Sequence, residues 1–109
     1  MVRLSEGLVA TEGRVEMLHN SVWGSISDNT WSVNEAAVVC RQLGFQGALS
    51  TGQFGNGNGP VYVTSVSCAG TEITLLDCLY EAVTEPVVDG RQDVGVVCHN
   101  NQQCTYYLT

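Results

Sequence analysis

The sequence predicts an α+β domain, with several short strands around one main helix. Three observations predict it. Arg14 to His19 alternates apolar and polar residues. Ser32 to Gly44 carries a capped, apolar helix. Short apolar runs separated by glycine-rich loops fill the second half. The chain has 109 residues, the size of one small domain. With 44% of residues hydrophobic and 14% charged, it has the apolar content to fold rather than stay disordered.

The elements follow in order. Met1-Val2-Arg3-Leu4 lacks the apolar core of a secretory leader, so Met1 reads as the start of a fragment. In Arg14 to His19, Val15 and Met17 fall on one face and Arg14 and Glu16 on the other, which predicts a half-buried strand. Asn20-Ser21 is a turn signal, and Val22 to Ile26 reads as the return strand of a hairpin. Ser32-Val33-Asn34-Glu35 is a capping box. Ala36, Ala37, Val39, Cys40 and Leu43 recur at helical spacing, and Gly44 suits the position that ends the helix, giving a helix over Val33 to Leu43. Gly52 to Gly59 reads as a long turn. Val61 to Cys68 reads as a strand, Thr71 to Leu76 as one helical turn capped by Thr71, and Glu81 to Gln92 as irregular and acidic. Val94 to Cys98 reads as a last strand. Residues 100–109 turn polar, which predicts a domain over 1–99 followed by a tail or linker to a neighbouring domain.

Composition excludes several function classes. Net charge is −7, there is no lysine, and the four arginines are scattered. Nucleic-acid binding needs clustered positive charge, and so does attraction to anionic membranes. No run of about 18 apolar residues offers a membrane span. Gly55, Gly57 and Gly59 lack the following helix of a phosphate-binding loop, because Pro60 and a β-rich run come next. Cys98-His99 and Cys104 have no C-x-x-C companion, so zinc is not expected. Catalysis would need Cys104 with His19 or His99, and nothing in the sequence supplies an orienting acid, so the chain reads as non-enzymatic. There is no N-x-S/T sequon. Five cysteines in so short a chain point to disulfides and an oxidising compartment, with one thiol left over.

Several segments together resemble one family, the scavenger receptor cysteine-rich domain. They are Val2-Arg3-Leu4, Gly13-Arg14-Val15-Glu16 with Leu18-His19-Asn20, and Trp23-Gly24-Ser25-Ile26. Asp28 to Trp31 and Ala36 to Gly44 follow as the most specific stretch. Phe54-Gly55-x-Gly57-x-Gly59-Pro60, Val66-x-Cys68-x-Gly70-Thr71-Glu72, Leu76-x-Cys78 and Gly95-Val96-Val97-Cys98 complete the order, and the resemblance covers about residues 2–98. It implies a curved antiparallel β-sheet cradling one main α-helix, stapled by disulfides. Full members carry more cysteines. By alignment, Thr11, Ser27, Phe45 and Val88 stand at those positions, missing as the complete pairs 11 with 45 and 27 with 88. Phe45 and Val88 are apolar enough to join a core. Four cysteines alone allow three connectivities; the resemblance implies Cys40–Cys98 and Cys68–Cys78. Cys104 lies beyond it, unpaired or intermolecular.

The resemblance also implies a calcium or magnesium site at Asp28, Asn29 and Glu72. Asn29 stands where the family usually has aspartate, so the expected calcium binding is weak. The positions of a second family site read Ser32, Thr64 and Ser65, without a carboxylate, and that site is lost. On the residues alone, Asp28 and Asn29 read first as a turn near a helix N-terminus, and it is the resemblance that adds the cation reading. The implied function is an extracellular ligand-recognition module, secreted or part of an ectodomain. It would bind protein, cell-surface, microbial or polyanionic ligands, with Arg41 and Arg91 as candidate contacts. The alternative is a structural spacer, or an accessory domain of a larger secreted enzyme such as a protease or an amine oxidase.

Overall fold

In the computed structural model, which describes residues 1–86 and 90–100, one helix packs on a seven-stranded sheet. Along the chain run β1 (Val2–Ser5), β2 (Glu12–His19), β3 (Val22–Ile26), α1 (Val33–Gln42), β4 (Gly47–Gly52), β5 (Val61–Ser67), β6 (Leu79–Ala82) and β7 (Gly95–His99). The sheet order is β4-β7-β2-β3-β5-β6, with β1 on β2. The pairings are antiparallel except for β3 with β5, which is parallel, so the sheet is mixed. The fold is α+β, as expected. Val88 and residues 101–109, with Cys104 and most of the expected tail, lie outside the described residues.

The β2–β3 hairpin closes on Asn20 and Ser21, with His19 paired to Val22. Both turn residues have positive φ, 51° and 66°, the geometry whose twist suits a two-residue hairpin. Val15 is fully buried, but the other face of β2 departs from the half-buried strand. Arg14 and Glu16 are buried as well. The glycine-rich loop lies over them: a Cβ on Gly57 would stand 3.1 Å from Arg14 Nε and 3.3 Å from Glu16 Oε2.

Helix α1 starts where the capping box predicts. Ser32 Oγ accepts the Asn34 N–H at 3.2 Å, and Glu35 Oε1 accepts the Ser32 N–H at 2.7 Å. It ends in a Schellman turn: Phe45 N–H reaches Cys40 O, Gly44 N–H reaches Arg41 O, and Gly44 takes φ +96°. Ala36, Val38, Val39 and Cys40 sit in the core with Val15, Ile26 and Val96. Val38 is buried where the expected stripe places Ala37, because the helix sinks deeper into the sheet than a single stripe requires.

Disulfides join Cys40 to Cys98 and Cys68 to Cys78. The first fastens the helix to β7. Phe45 packs against the core. At position 27, Ser27 Oγ accepts the Gln92 N–H at 2.8 Å, a hydrogen bond tying β3's end to the chain after residue 90. The short helical turn is a 3₁₀ turn at Leu75–Asp77, capped by Thr74 rather than Thr71. Strand β6 overlaps the start of the stretch read as irregular, at Glu81 and Ala82, and β4 has no counterpart in that reading.

Candidate functional site

Three carboxylates converge on one strip of backbone, residues 66–70. Asp28, 7% exposed, follows β3. Its Oδ1 accepts the Thr30 N–H at 2.9 Å and the Thr30 hydroxyl at 2.7 Å, and its Oδ2 accepts the Val66 N–H at 2.8 Å. Glu35 reaches from the helix, and its Oε2 accepts the Cys68 N–H at 2.9 Å. Glu72 folds back on its own turn, accepting from Ala69 N at 2.8 Å and Gly70 N at 2.9 Å. The end of β5 is therefore held by charge-assisted hydrogen bonds, the stronger kind, and the Cys68–Cys78 bridge clamps it at the centre. Asp28 and Glu72 thus anchor to the same strip, at residues 66 and 69–70. Asn29 is exposed beside Asp28. It walls two clefts: one of about 330 Å³ with Thr64 and Gln92, and one of about 120 Å³ with Trp31, Gln53 and Asp93. The Trp31 indole N–H has no hydrogen-bond partner among the described residues.

The charges on this strip are settled by local bonds. The Ala69 N–H, chiefly, with Glu72's own N–H and those of Gly70 and Thr71, holds the Glu72 carboxyl below its ordinary range, against a smaller opposing effect of burial. On the other side of the turn, Arg41 Nη2 donates to Gly70 O at 2.5 Å and Glu72 O at 3.2 Å. The oxygen-only donor set suits a hard cation. The Asp28 and Glu72 oxygens already serve backbone amides, and the Arg41 guanidinium lies on the same turn as Glu72, so their capacity for such an ion is reduced. The Glu72 carboxylate also lies within 4.8 Å of the Cys68 and Cys78 sulfurs, but these are bonded to each other and supply no thiolate. Ser32 is the helix cap, and Ser65 lies in β5 with φ 54°.

Three of the four arginines are in ion pairs, and the exposed Arg41 bonds backbone carbonyls. Arg91 grips Asp93 with two nitrogens, at 2.7 and 2.9 Å. Gly57 N–H and the Asn56 side chain close on the same segment. Arg14 bonds Glu16 at 3.2 Å and the Phe54 and Gly55 carbonyls. Arg3 bonds Glu16 at 2.7 Å and lies over the Trp23 ring. Burial pushes the Asp93 carboxyl up, but Arg91, Gly57 N–H and the Ser25 hydroxyl outweigh it and hold it below the ordinary range. The same Asp93 bond raises the Arg91 guanidinium. The residues that sequence reasoning missed are Glu35 as a bond to Cys68, and the Arg14, Glu16 and Asp93 cluster under residues 54–57. Charged residues alternating with valine signal an outer face. Only the folding of a distant glycine loop over them reverses that. His19 packs edge-on to Tyr62, with centroids 5.6 Å apart, and the His99 ring lies over Gly47.

A family model described as the scavenger receptor cysteine-rich domain matches residues 5–99. The chain is 39% identical over 110 residues to galectin-3-binding protein of Pongo abelii, covering 98% of the chain and 19% of that protein. It is 41% identical over 101 residues to lysyl oxidase homolog 3A of Danio rerio, covering 90% of the chain and 14% of that protein. The chain therefore spans less than a fifth of the length of either relative. Among solved structures, the third scavenger receptor cysteine-rich domain of murine neurotrypsin superposes with a TM-score of 0.76 at 39% identity, covering 90% of this chain and 94% of that one.

Proposed function

This chain belongs to the scavenger receptor cysteine-rich family, and from that premise we propose that it recognises protein ligands and carries a weak calcium site. Domains of this family are extracellular, non-catalytic modules, and its two disulfides suit an oxidising compartment. No helix among the described residues is long and apolar enough to cross a membrane.

The observation that favours protein over polyanionic ligands is that three of the four arginines are paired with carboxylates and the fourth stands alone. Arg3 and Arg14 serve Glu16, Arg91 serves Asp93, and Arg41 serves the 70–72 carbonyls. With no lysine and a net charge of −7, and with Arg41 the one arginine in no ion pair among the described residues, the surface lacks the cluster of free cations that holds sulfate or phosphate groups. Asp28, Asn29 and Glu72 would hold calcium at millimolar strength, as an extracellular site requires. The ion, when bound, supplies a positive charge that an acidic group of a ligand can meet. Asp28 and Glu35 keep the strip rigid whether or not it is present, so recognition does not wait on folding of the site.

The test is binding of the labelled domain to cells in EDTA and in calcium. Binding should be destroyed by mild protease treatment, spared by enzymatic removal of sulfated glycans, and not competed by dextran sulfate. Protease-resistant binding lost with the glycans would overturn the reading. Likeness to lysyl oxidase homolog 3A favours one further role, that of accessory module to a larger enzyme. In that role, deletion of the module would leave turnover of small substrates intact and lower only that of protein substrates.

A further inference from the structure

Among the described residues, strand β6 ends the sheet and pairs with β5 alone, so one of its edges is left open. The Val83 N–H bonds Tyr62 O at 2.9 Å. That alternation sets Glu81 against Thr64 in the bonded register and turns the Ala82 N–H and C=O toward the open edge. All four residues of β6 are exposed. Leu79 is 77% exposed, and two apolar residues just before it are open too: Ile73 at 84% and Leu76 at 58%. Of these, Leu76 lies in the 3₁₀ turn Leu75–Asp77, Ile73 precedes its cap and Leu79 opens β6. An open strand edge beside exposed apolar side chains is a template for one more strand.

Charge selects the occupant. Asp77, Glu81 and Glu85 are exposed on this same stretch, and no ion pair among the described residues reaches them. Arg3, Arg14 and Arg91 pair with carboxylates elsewhere, and Arg41 is held on the carbonyls of residues 70 and 72. An acidic occupant would set like charges side by side, which disfavours the pairing. The same term disfavours a second copy of this chain, since pairing Tyr80 with Ala82 across a two-fold axis would set Glu81 opposite Glu81.

We infer that the β6 edge, with Ile73, Leu76 and Leu79 beside it, takes an extended segment of a partner protein in which a basic and an apolar residue stand two apart, on the face that Leu79 and Glu81 share. The strand's main chain supplies the hydrogen bonds, Glu81 and Asp77 meet the basic residues, and the leucines cover the apolar ones. This rests on reading the domain as a protein-binding module and names the chemistry of its partner.

A short fluorescent peptide repeating Lys-Ser-Val-Ser, which sets lysine and valine two apart on one face, is the probe, with a Glu-Ser-Val-Ser repeat as control, both followed by polarisation. The wild-type domain should bind the first and not the second. Ala82→Pro removes the outward N–H and Leu79→Asp removes the apolar contact; each should weaken binding about tenfold or more while thermal midpoints stay unchanged. Glu81→Lys should reverse the preference between the peptides. Undiminished binding in all three variants would overturn the β6 placement and leave the protein-binding reading standing. No binding of the lysine peptide to wild type would also overturn the inference, and only the cell-binding pattern above bears on the broader reading. A wild-type dimer in sedimentation that Leu79→Asp dissociates would show the edge covered by a second copy, and would overturn it as well.

Discussion

Asp28 carries two roles at one position. Its Oδ1 makes the turn to Thr30 that the sequence predicts, and its Oδ2 caps the buried Val66 N–H. Only the first is legible in sequence, because the second needs a partner 38 residues away. The two bonds make Asp28 a structural residue before it is a ligand. Asp28→Ala should cost about 2–3 kcal/mol, since a buried N–H loses a charged acceptor. The loss should appear as a lower urea midpoint measured in EDTA. Exposed Asn29 has no such duty, and Asn29→Ala should leave that midpoint unchanged. A loss at Asp28 seen only in calcium would mean that the ion, not the amides, holds the strip.

The helix was the most legible element, because its information is local. Ser32, Glu35 and Gly44 are adjacent to what they cap, and each makes the bond its position predicts. Gly44 takes φ +96°, and open space surrounds the point where a Cβ would stand, with nothing within 4 Å. Only backbone strain therefore opposes a larger residue. Gly44→Ala should cost about 1–2 kcal/mol, read as a shift in thermal midpoint with unchanged circular dichroism. A neutral result would mean the turn relaxes out of the left-handed region. Strands β4 and β6 were illegible for the converse reason. Gly47–Gly52 is small and polar, and becomes a strand because β7 offers an edge to pair with; Leu79–Ala82 does so against β5. Their strand character lies in the partner, not in their own residues.

At the scale of the whole molecule, two bridges and a set of buried charges hold a modest core. On the chain-entropy account, Cys40–Cys98, 58 residues apart, is worth about 4 kcal/mol and Cys68–Cys78, 10 apart, about 3 kcal/mol. The family resemblance was legible from end to end, since its motifs are short and ordered. The buried cluster of Arg14, Glu16, Arg91 and Asp93 was not, since burial there depends on where residues 54–57 settle. That cluster sets the acid stability. A carboxyl held below its ordinary value stabilises the fold above that value, and the contribution is lost as pH falls through the folded one. The thermal midpoint should thus hold from neutral pH down to about 4.5, the ordinary value for Glu72, and fall more steeply below about 3.8, that for Asp93. Asp93→Asn should lower the midpoint at neutral pH and flatten the acid fall; an unchanged acid profile would place the sensitive carboxylate elsewhere. The functional proposal stands on the strip joining Asp28 to Glu72 being a preformed, weak calcium site on a recognition module. Amide NMR during a calcium titration reads that strip residue by residue. The Asn29, Thr30, Val66, Ala69 and Gly70 amides should move together with a single millimolar constant. Shifts confined to the exposed acids Asp77, Glu81 and Glu85, or none at all, would refute the site and leave the stretch from Asp28 to Trp31 as a turn that starts a helix.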